Sequence, residues 1–125
     1  VAPGFNPRIV EYCLERTIPV VPGCATPSEM EQSLEQGLEV IKFFPAEPMG
    51  GLAYLKAIAG PYPMLRFLPT GGICEKNLAA YLEYEKVIAC GGSWMVKPEW
   101  IEGDRFDEVK RACEDAASIV ARVKK

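Results

Sequence analysis

A chain of 125 residues, 49% hydrophobic and 25% charged, has the composition of one modest globular domain, which excludes a disordered or fibrous architecture. It is too short for a complete (β/α)8 barrel, which takes about 200 residues or more. The net charge of −3, with no basic run beyond Lys124-Lys125, gives no expectation of a nucleic-acid partner, and no apolar stretch nears the roughly 20 residues of a bilayer span. No charged-then-apolar leader opens the chain, and Val1 falls inside what reads as a strand-to-loop segment. The expectation is a piece of a longer protein, or a chain that has lost residues upstream.

In chain order, Asn6-Pro7 is a helix start with a side-chain cap and Pro at the first helical position, followed by Ile9, Val10, Cys13 and Leu14 on one face. Ile18 to Val21 is a β-branched run closed by Pro22-Gly23, which predicts a strand. Thr26-Pro27-Ser28-Glu29 is a capping box for a helix that carries Met30 and Leu34 and stops at Gly37. Val40 to Phe44 is the next strand, ended by Pro45, and Leu52 to Ala59 the next helix, closed by Gly60-Pro61. Leu65 to Leu68 predicts a strand ending in Pro69-Thr70-Gly71-Gly72, and Asn77 to Tyr84 a helix. Val87 to Cys90 predicts a strand ending in Gly91-Gly92-Ser93. A final helix over Phe106 to Val123 has Phe106, Val109, Cys113, Ala116, Ala117 and Val120 on one side.

The four strands recur every 20 to 25 residues, each short, apolar and followed by a helix. That pattern implies a parallel sheet of the α/β class buried by its crossover helices. The predicted architecture is (αβ)4α in one domain over residues 1–125, which suits an open doubly wound sheet or half of a TIM (β/α)8 barrel.

Five cysteines without a CxxC spacing do not read as a disulfide framework or a zinc site, but as free thiols in a reducing, cytoplasmic setting. The absence of histidine removes Ser-His-Asp and Cys-His nucleophiles and histidine metal ligands. Chemistry is left to carboxylates, lysine, tyrosine and backbone. Lys42, inside Val40-Ile41-Lys42-Phe43-Phe44, shares a strand face with Val40 and Phe44. Burial disfavours the ammonium form, and a neutral amine attacks a carbonyl to give a Schiff base. The alternative is a strand-edge lysine that snorkels to solvent.

Thr70-Gly71-Gly72 and Gly91-Gly92-Ser93 end consecutive strands. Such glycines let backbone N–H groups close on an anion, as in the phosphate site after the last two strands of a barrel, unless they are two ordinary tight turns. Glu47 could serve as an acid or base near the lysine strand, or be a solvated loop acid at a helix start. Trp94 and Trp100 read as packing or interface residues, and Arg66 as exposed near a strand start.

Four segments occur together and in order: Ile41-Lys42-Phe43-Phe44-Pro45-Ala46-Glu47, Ala57-Ile58-Ala59-Gly60-Pro61, Pro69-Thr70-Gly71-Gly72-Ile73 and Gly91-Gly92-Ser93-Trp94. Together they closely resemble the bifunctional KDPG/KHG aldolases (2-dehydro-3-deoxy-6-phosphogluconate and 4-hydroxy-2-oxoglutarate aldolase). The family comprises class I, metal-independent lyases on a TIM barrel. The resemblance implies cleavage of these 2-keto acids to pyruvate and glyceraldehyde 3-phosphate or glyoxylate, with no cofactor beyond the covalent Schiff base. It implies Lys42 as the Schiff-base lysine, Phe44 beside the bound pyruvate and Thr70 bonding near the substrate carboxylate. Gly71, Gly72, Gly92 and Ser93 would hold the phosphate. It also implies a homo-oligomer, a trimer in the full-length family. The family's Glu-Val-Thr-Leu-Arg-Thr segment, which supplies the acid/base glutamate and an arginine for the carboxylate, has no counterpart here, nor does its Gly-Ala-Gly-Thr segment. The chain is therefore expected to match the C-terminal half of the family sequence. The competing expectation is a non-catalytic half-barrel that self-associates through its exposed sheet.

Overall fold

The computed structural model describes residues 1–124. The elements are α1 (Pro7–Glu15), β1 (Gly23–Cys24), α2 (Pro27–Glu35), β2 (Val40–Phe43), α3 (Gly51–Ala59), β3 (Arg66–Pro69), α4 (Glu75–Glu83), α5 (Pro98–Glu102) and α6 (Phe106–Val123). The strands form a parallel sheet in the order β1-β2-β3, so the sequence of βα units expected for a barrel segment is present. Lys42 of the central strand pairs with Gly23 on one side and Leu68 on the other.

Local chemistry explains the helix starts. The Asn6 side chain accepts from the Arg8 N–H, and Thr26 and Glu29 form the expected capping box, with Pro27 at the first helical position. Pro98 opens α5 in the same way, a short helix that the apolar periodicity does not reveal.

Two strands differ from expectation. The ladder at the first begins at Gly23, beyond the Ile18–Val21 run. Pro19 and Pro22 carry no N–H, so this stretch cannot supply a continuous ladder. Its carbonyls are still used: Val21 accepts from the Ala2 N–H (3.1 Å) and Pro22 from Lys42 (2.8 Å). The fourth segment, Val87 to Cys90, runs parallel to β3 but touches it only through bridges at Phe67–Val87 and Thr70–Gly91. Ile88 donates to Phe67 (3.0 Å), whereas the next donor to β3 is Gly91, to Pro69 (3.0 Å). Pro69 has no N–H to return, and three residues on one strand span two on the other, which is a bulge.

The sheet has two unlike faces. Ile41, Phe43, Phe67 and Val87 are fully buried and pack with Met30, Leu55, Ala59, Leu78, Tyr81 and Leu82 in one core. Val40, Lys42, Phe44, Leu68 and Thr70 alternate onto the opposite face and are each only partly buried. The seam of α6 is rotated from the expected stripe: Ala116 is buried, and Ile119 and Val123 pack on the core, while Phe106 is 56% and Val120 41% exposed. On α1, Val10 is buried but Ile9 is 53% exposed. Arg66 is exposed at the start of β3, as expected.

Candidate functional site

Lys42 stands on the partly open face of the central strand, flanked by β1 and β3. The strand-edge alternative therefore fails, and so does a fully enclosed lysine: the side chain is half-buried. Its Nζ lies 4.4 Å from the centroid of the Phe44 ring. Phe44 sits two residues on, on the same face, where the ring quadrupole attracts a cation above it. Among the described residues Lys42 makes no salt bridge, and its Nζ has no hydrogen-bond partner.

Thr70 is in register with Phe44, one step beyond the Phe43–Pro69 pair. Its N–H donates to Phe43 (3.0 Å), and its carbonyl accepts from Ala46 (2.8 Å). Its Oγ1 is buried and has no partner. An unmet buried hydroxyl costs about 1–3 kcal/mol, so Thr70 presents an unused donor and acceptor at the strand end beside Phe44.

The two glycine loops adjoin each other through the Thr70–Gly91 bridge. Gly71 and Gly72 have φ of +92° and +83°, a region that strains any other residue. A Cβ on Gly71 would lie 3.2 Å from the Phe44 ring, and one on Gly91 2.8 Å from Thr70 Cγ2. Gly92 lies under the Trp94 ring, and Ser93 is exposed. Among the described residues the N–H groups of Gly72, Gly92 and Ser93 donate to no protein acceptor. Free backbone donors at adjacent strand ends are the groups from which anion nests are built. The sequence-predicted residues Lys42, Phe44, Thr70, Gly71, Gly72, Gly92 and Ser93 thus lie on one face or at the carboxyl ends of neighbouring strands.

Glu47 has a role that sequence reasoning missed. It lies exposed in the turn before α3, as the loop reading expected, yet it is not free: Oε1 accepts the Tyr81 hydroxyl at 2.5 Å. Burial first, then this bond, pushes the Tyr81 phenol well above its ordinary value. The available signal was Tyr81 itself, a tyrosine on an apolar helix face whose hydroxyl needs a partner.

All five cysteines are free, and burial raises the Cys24 and Cys90 thiols to about 11, leaving both protonated at neutral pH. No group of three or more His, Cys, Asp or Glu among the described residues is placed to hold a metal ion. No helix among them is long and apolar enough to cross a membrane.

An amine over an aromatic ring, an unmet hydroxyl and unpartnered backbone donors stand together at the parallel strand ends of an α/β sheet. The family described as KDPG and KHG aldolase matches residues 1–112. A 2-dehydro-3-deoxy-phosphogluconate aldolase from Treponema pallidum is 48% identical over 120 residues, 96% of this chain and 57% of its own. A KDPG aldolase structure from Legionella pneumophila, with pyruvate captured as a covalent carbinolamine, superposes with a TM-score of 0.85 at 39% identity, covering 89% of this chain and 54% of that one. A 2-keto-3-deoxy-6-phosphogluconate aldolase from Zymomonas mobilis with 3-phosphoglycerate gives 0.84 at 32% identity, covering 94% and 55%. The chain belongs to the KDPG and KHG aldolase family. It spans about half the length of the curated relatives it matches.

Proposed function

We propose that these residues form the carbonyl-capturing and phosphate-holding part of a class I aldolase site. Its substrates would be 2-dehydro-3-deoxy-6-phosphogluconate and 4-hydroxy-2-oxoglutarate. The observation that carries this reading is the Lys42 amine, held over Phe44 on the partly open sheet face, with the unpartnered Thr70 hydroxyl on the neighbouring strand end beside Phe44. The carbinolamine in the Legionella relative supports the covalent chemistry, and the phosphorylated three-carbon acid in the Zymomonas relative supports the class of substrate.

In this mechanism the neutral Lys42 Nζ adds to the C2 carbonyl of the keto acid. The carbinolamine loses water to leave a protonated imine. The C3–C4 bond then breaks, its electron pair passes into the imine to form an enamine, and the C4 hydroxyl gives its proton to water as the aldehyde departs. Protonation at C3 and hydrolysis return free lysine and pyruvate. Thr70 Oγ1 would donate to the substrate near its carboxylate. The amides of Gly72, Gly92 and Ser93, with Gly71 shaping the turn, would receive the phosphate. The electron sink is the lysine adduct itself, so the reading calls for no metal or cofactor, and chelator should leave capture unchanged. The residues of this chain supply the amine nucleophile; Glu47, engaged by Tyr81, is not assigned the proton.

The test is reductive capture by borohydride with a series of 2-keto acids. The 6-phosphorylated substrate should reach half-maximal capture at a concentration about ten-fold below its unphosphorylated analogue, as about 1.4 kcal/mol of phosphate contacts would give. Equal concentrations would contradict the phosphate assignment. Thr70→Val should leave thermal stability unchanged or slightly raised, because it removes an unmet buried hydroxyl. It should weaken pyruvate capture by about ten-fold, the worth of one hydrogen bond of 1–1.5 kcal/mol. A variant that captures normally would remove Thr70 from the site.

Self-association belongs to the same reading. Ile88 is 49% exposed beside the partly open sheet face, and Ile9 and Tyr12 are 53% and 52% exposed on α1. Apolar surface on this scale favours a homo-oligomer. Sedimentation at micromolar concentration should give more than the monomer mass of 13.8 kDa; a stable monomer would contradict it. Five free thiols suit a cytoplasmic setting.

A further inference from the structure

We infer that Glu47 and Tyr81 act as a pair of positioning residues that clamp the Gly71-Gly72 loop to the strand end carrying Lys42, and so set the separation between the carbonyl-capturing amine and the substrate phosphate. The inference rests on the aldolase reading above and adds a specificity element to it. Glu47 lies five residues beyond Lys42 and contacts three parts of the fold at once. Its N–H donates to Gly71 (3.0 Å), fastening the loop backbone. Its Cβ and Cγ fill the space beside Gly72, where an added Cβ would come within 2.6 and 2.7 Å of them. Its carboxylate reaches past Gly51, whose Cβ would lie 3.1 Å from Oε1, to the Tyr81 hydroxyl.

Tyr81 is a rigid anchor. It is 1% exposed and belongs to α4, which begins at Glu75, three residues after Gly72. The loop itself has little intrinsic stiffness, because both glycines occupy positive φ and keep wide backbone freedom. Glu47 supplies that stiffness, provided its side chain is held in one rotamer; the Tyr81 bond holds it. A substrate with a remote phosphate must satisfy Lys42 and the loop together, whereas pyruvate needs only Lys42. The pair therefore bears on phosphorylated substrates and not on the amine, since misplacing a contact by about 1 Å is enough to lose a large rate factor.

The test compares the unmodified chain with Tyr81→Phe, Glu47→Ala and Glu47→Gln. Tyr81→Phe keeps the buried ring and removes only the hydroxyl. It should raise the concentration of 2-dehydro-3-deoxy-6-phosphogluconate for half-maximal borohydride capture by about ten-fold, while pyruvate capture stays near that of the unmodified chain. Glu47→Ala should do the same. Glu47→Gln keeps an oxygen that accepts the Tyr81 hydroxyl and should lie close to the unmodified chain. Equal losses for pyruvate and the phosphorylated acid would mean a merely structural role and overturn the inference, as would no change in either. Tighter phosphate binding in both Glu47 variants would mean that charge, not position, matters, and would also overturn it. Titration with inorganic phosphate, read by the amide resonances of Gly72 and Gly92, separates this from the aldolase reading. If the unmodified chain captures no pyruvate, that reading fails, yet a weaker phosphate response in Tyr81→Phe still upholds the clamp and an unchanged one still sinks it.

Discussion

Lys42→Arg should abolish reductive capture of pyruvate, leaving no adduct above the background of surface lysines. Arginine retains a cation that can stack over Phe44. Its guanidinium stays protonated and is no nucleophile, so only the chemistry is removed. Lys42 is half-buried and engages in no salt bridge among the described residues. The change should therefore alter stability by no more than about 0.5 kcal/mol. Loss of capture with an unchanged melting curve would tie the reaction to this amine. A Lys42→Arg chain that still yields the adduct would move the reactive group elsewhere.

The largest stability effect is expected one residue further on. Phe43 is fully buried, stacks on Tyr54 with centroids 6.1 Å apart, and pairs with Cys24 and Pro69. Phe43→Ala should cost about 3–5 kcal/mol through lost burial and a residual cavity. Against a total stability of about 5–15 kcal/mol, that is enough to lower the melting temperature by more than about 10 °C. Phe44→Ala, on the partly buried face, should cost clearly less stability and more capture. If the two variants melt alike, the assignment of the two faces is wrong. The contrast follows from strand alternation: adjacent phenylalanines face the core and the partly open side, respectively.

That alternation was legible in the sequence, as were the parallel βα order, the helix caps and the glycine loops, because each rests on a local pattern. The register that makes Lys42 central and sets Thr70 beside Phe44 was not, because strand order is a property of the folded sheet. Proline explains the two strands that differ. The Ile18–Val21 run has high β propensity, but Pro19 and Pro22 deny it donors. Pro69 similarly breaks the ladder to Val87–Cys90 into two bridges. The stripe expected on α6 was rotated because periodicity finds an apolar face but not which edge of it meets the sheet; Ile119 and Val123 pack where Phe106 and Val120 were expected. At the proposed site, Lys42 and the glycine pairs stand out by type and position, and Thr70 through the resemblance. The Glu47–Tyr81 bond joins residues 34 apart, and no local pattern announces it. The resemblance to the aldolases identified the family, and the match over residues 1–112 bears it out.

The central claim is that the amine over Phe44 captures a 2-keto acid as an imine. It is tested most directly by reducing the chain with borohydride in the presence of pyruvate, digesting it, and locating the adduct by mass spectrometry. The expected result is one reduced pyruvate on the peptide that carries Lys42, absent when pyruvate or borohydride is omitted. No adduct, or label spread over lysines such as Lys56, Lys76 and Lys110 in proportion to their exposure, would contradict the account.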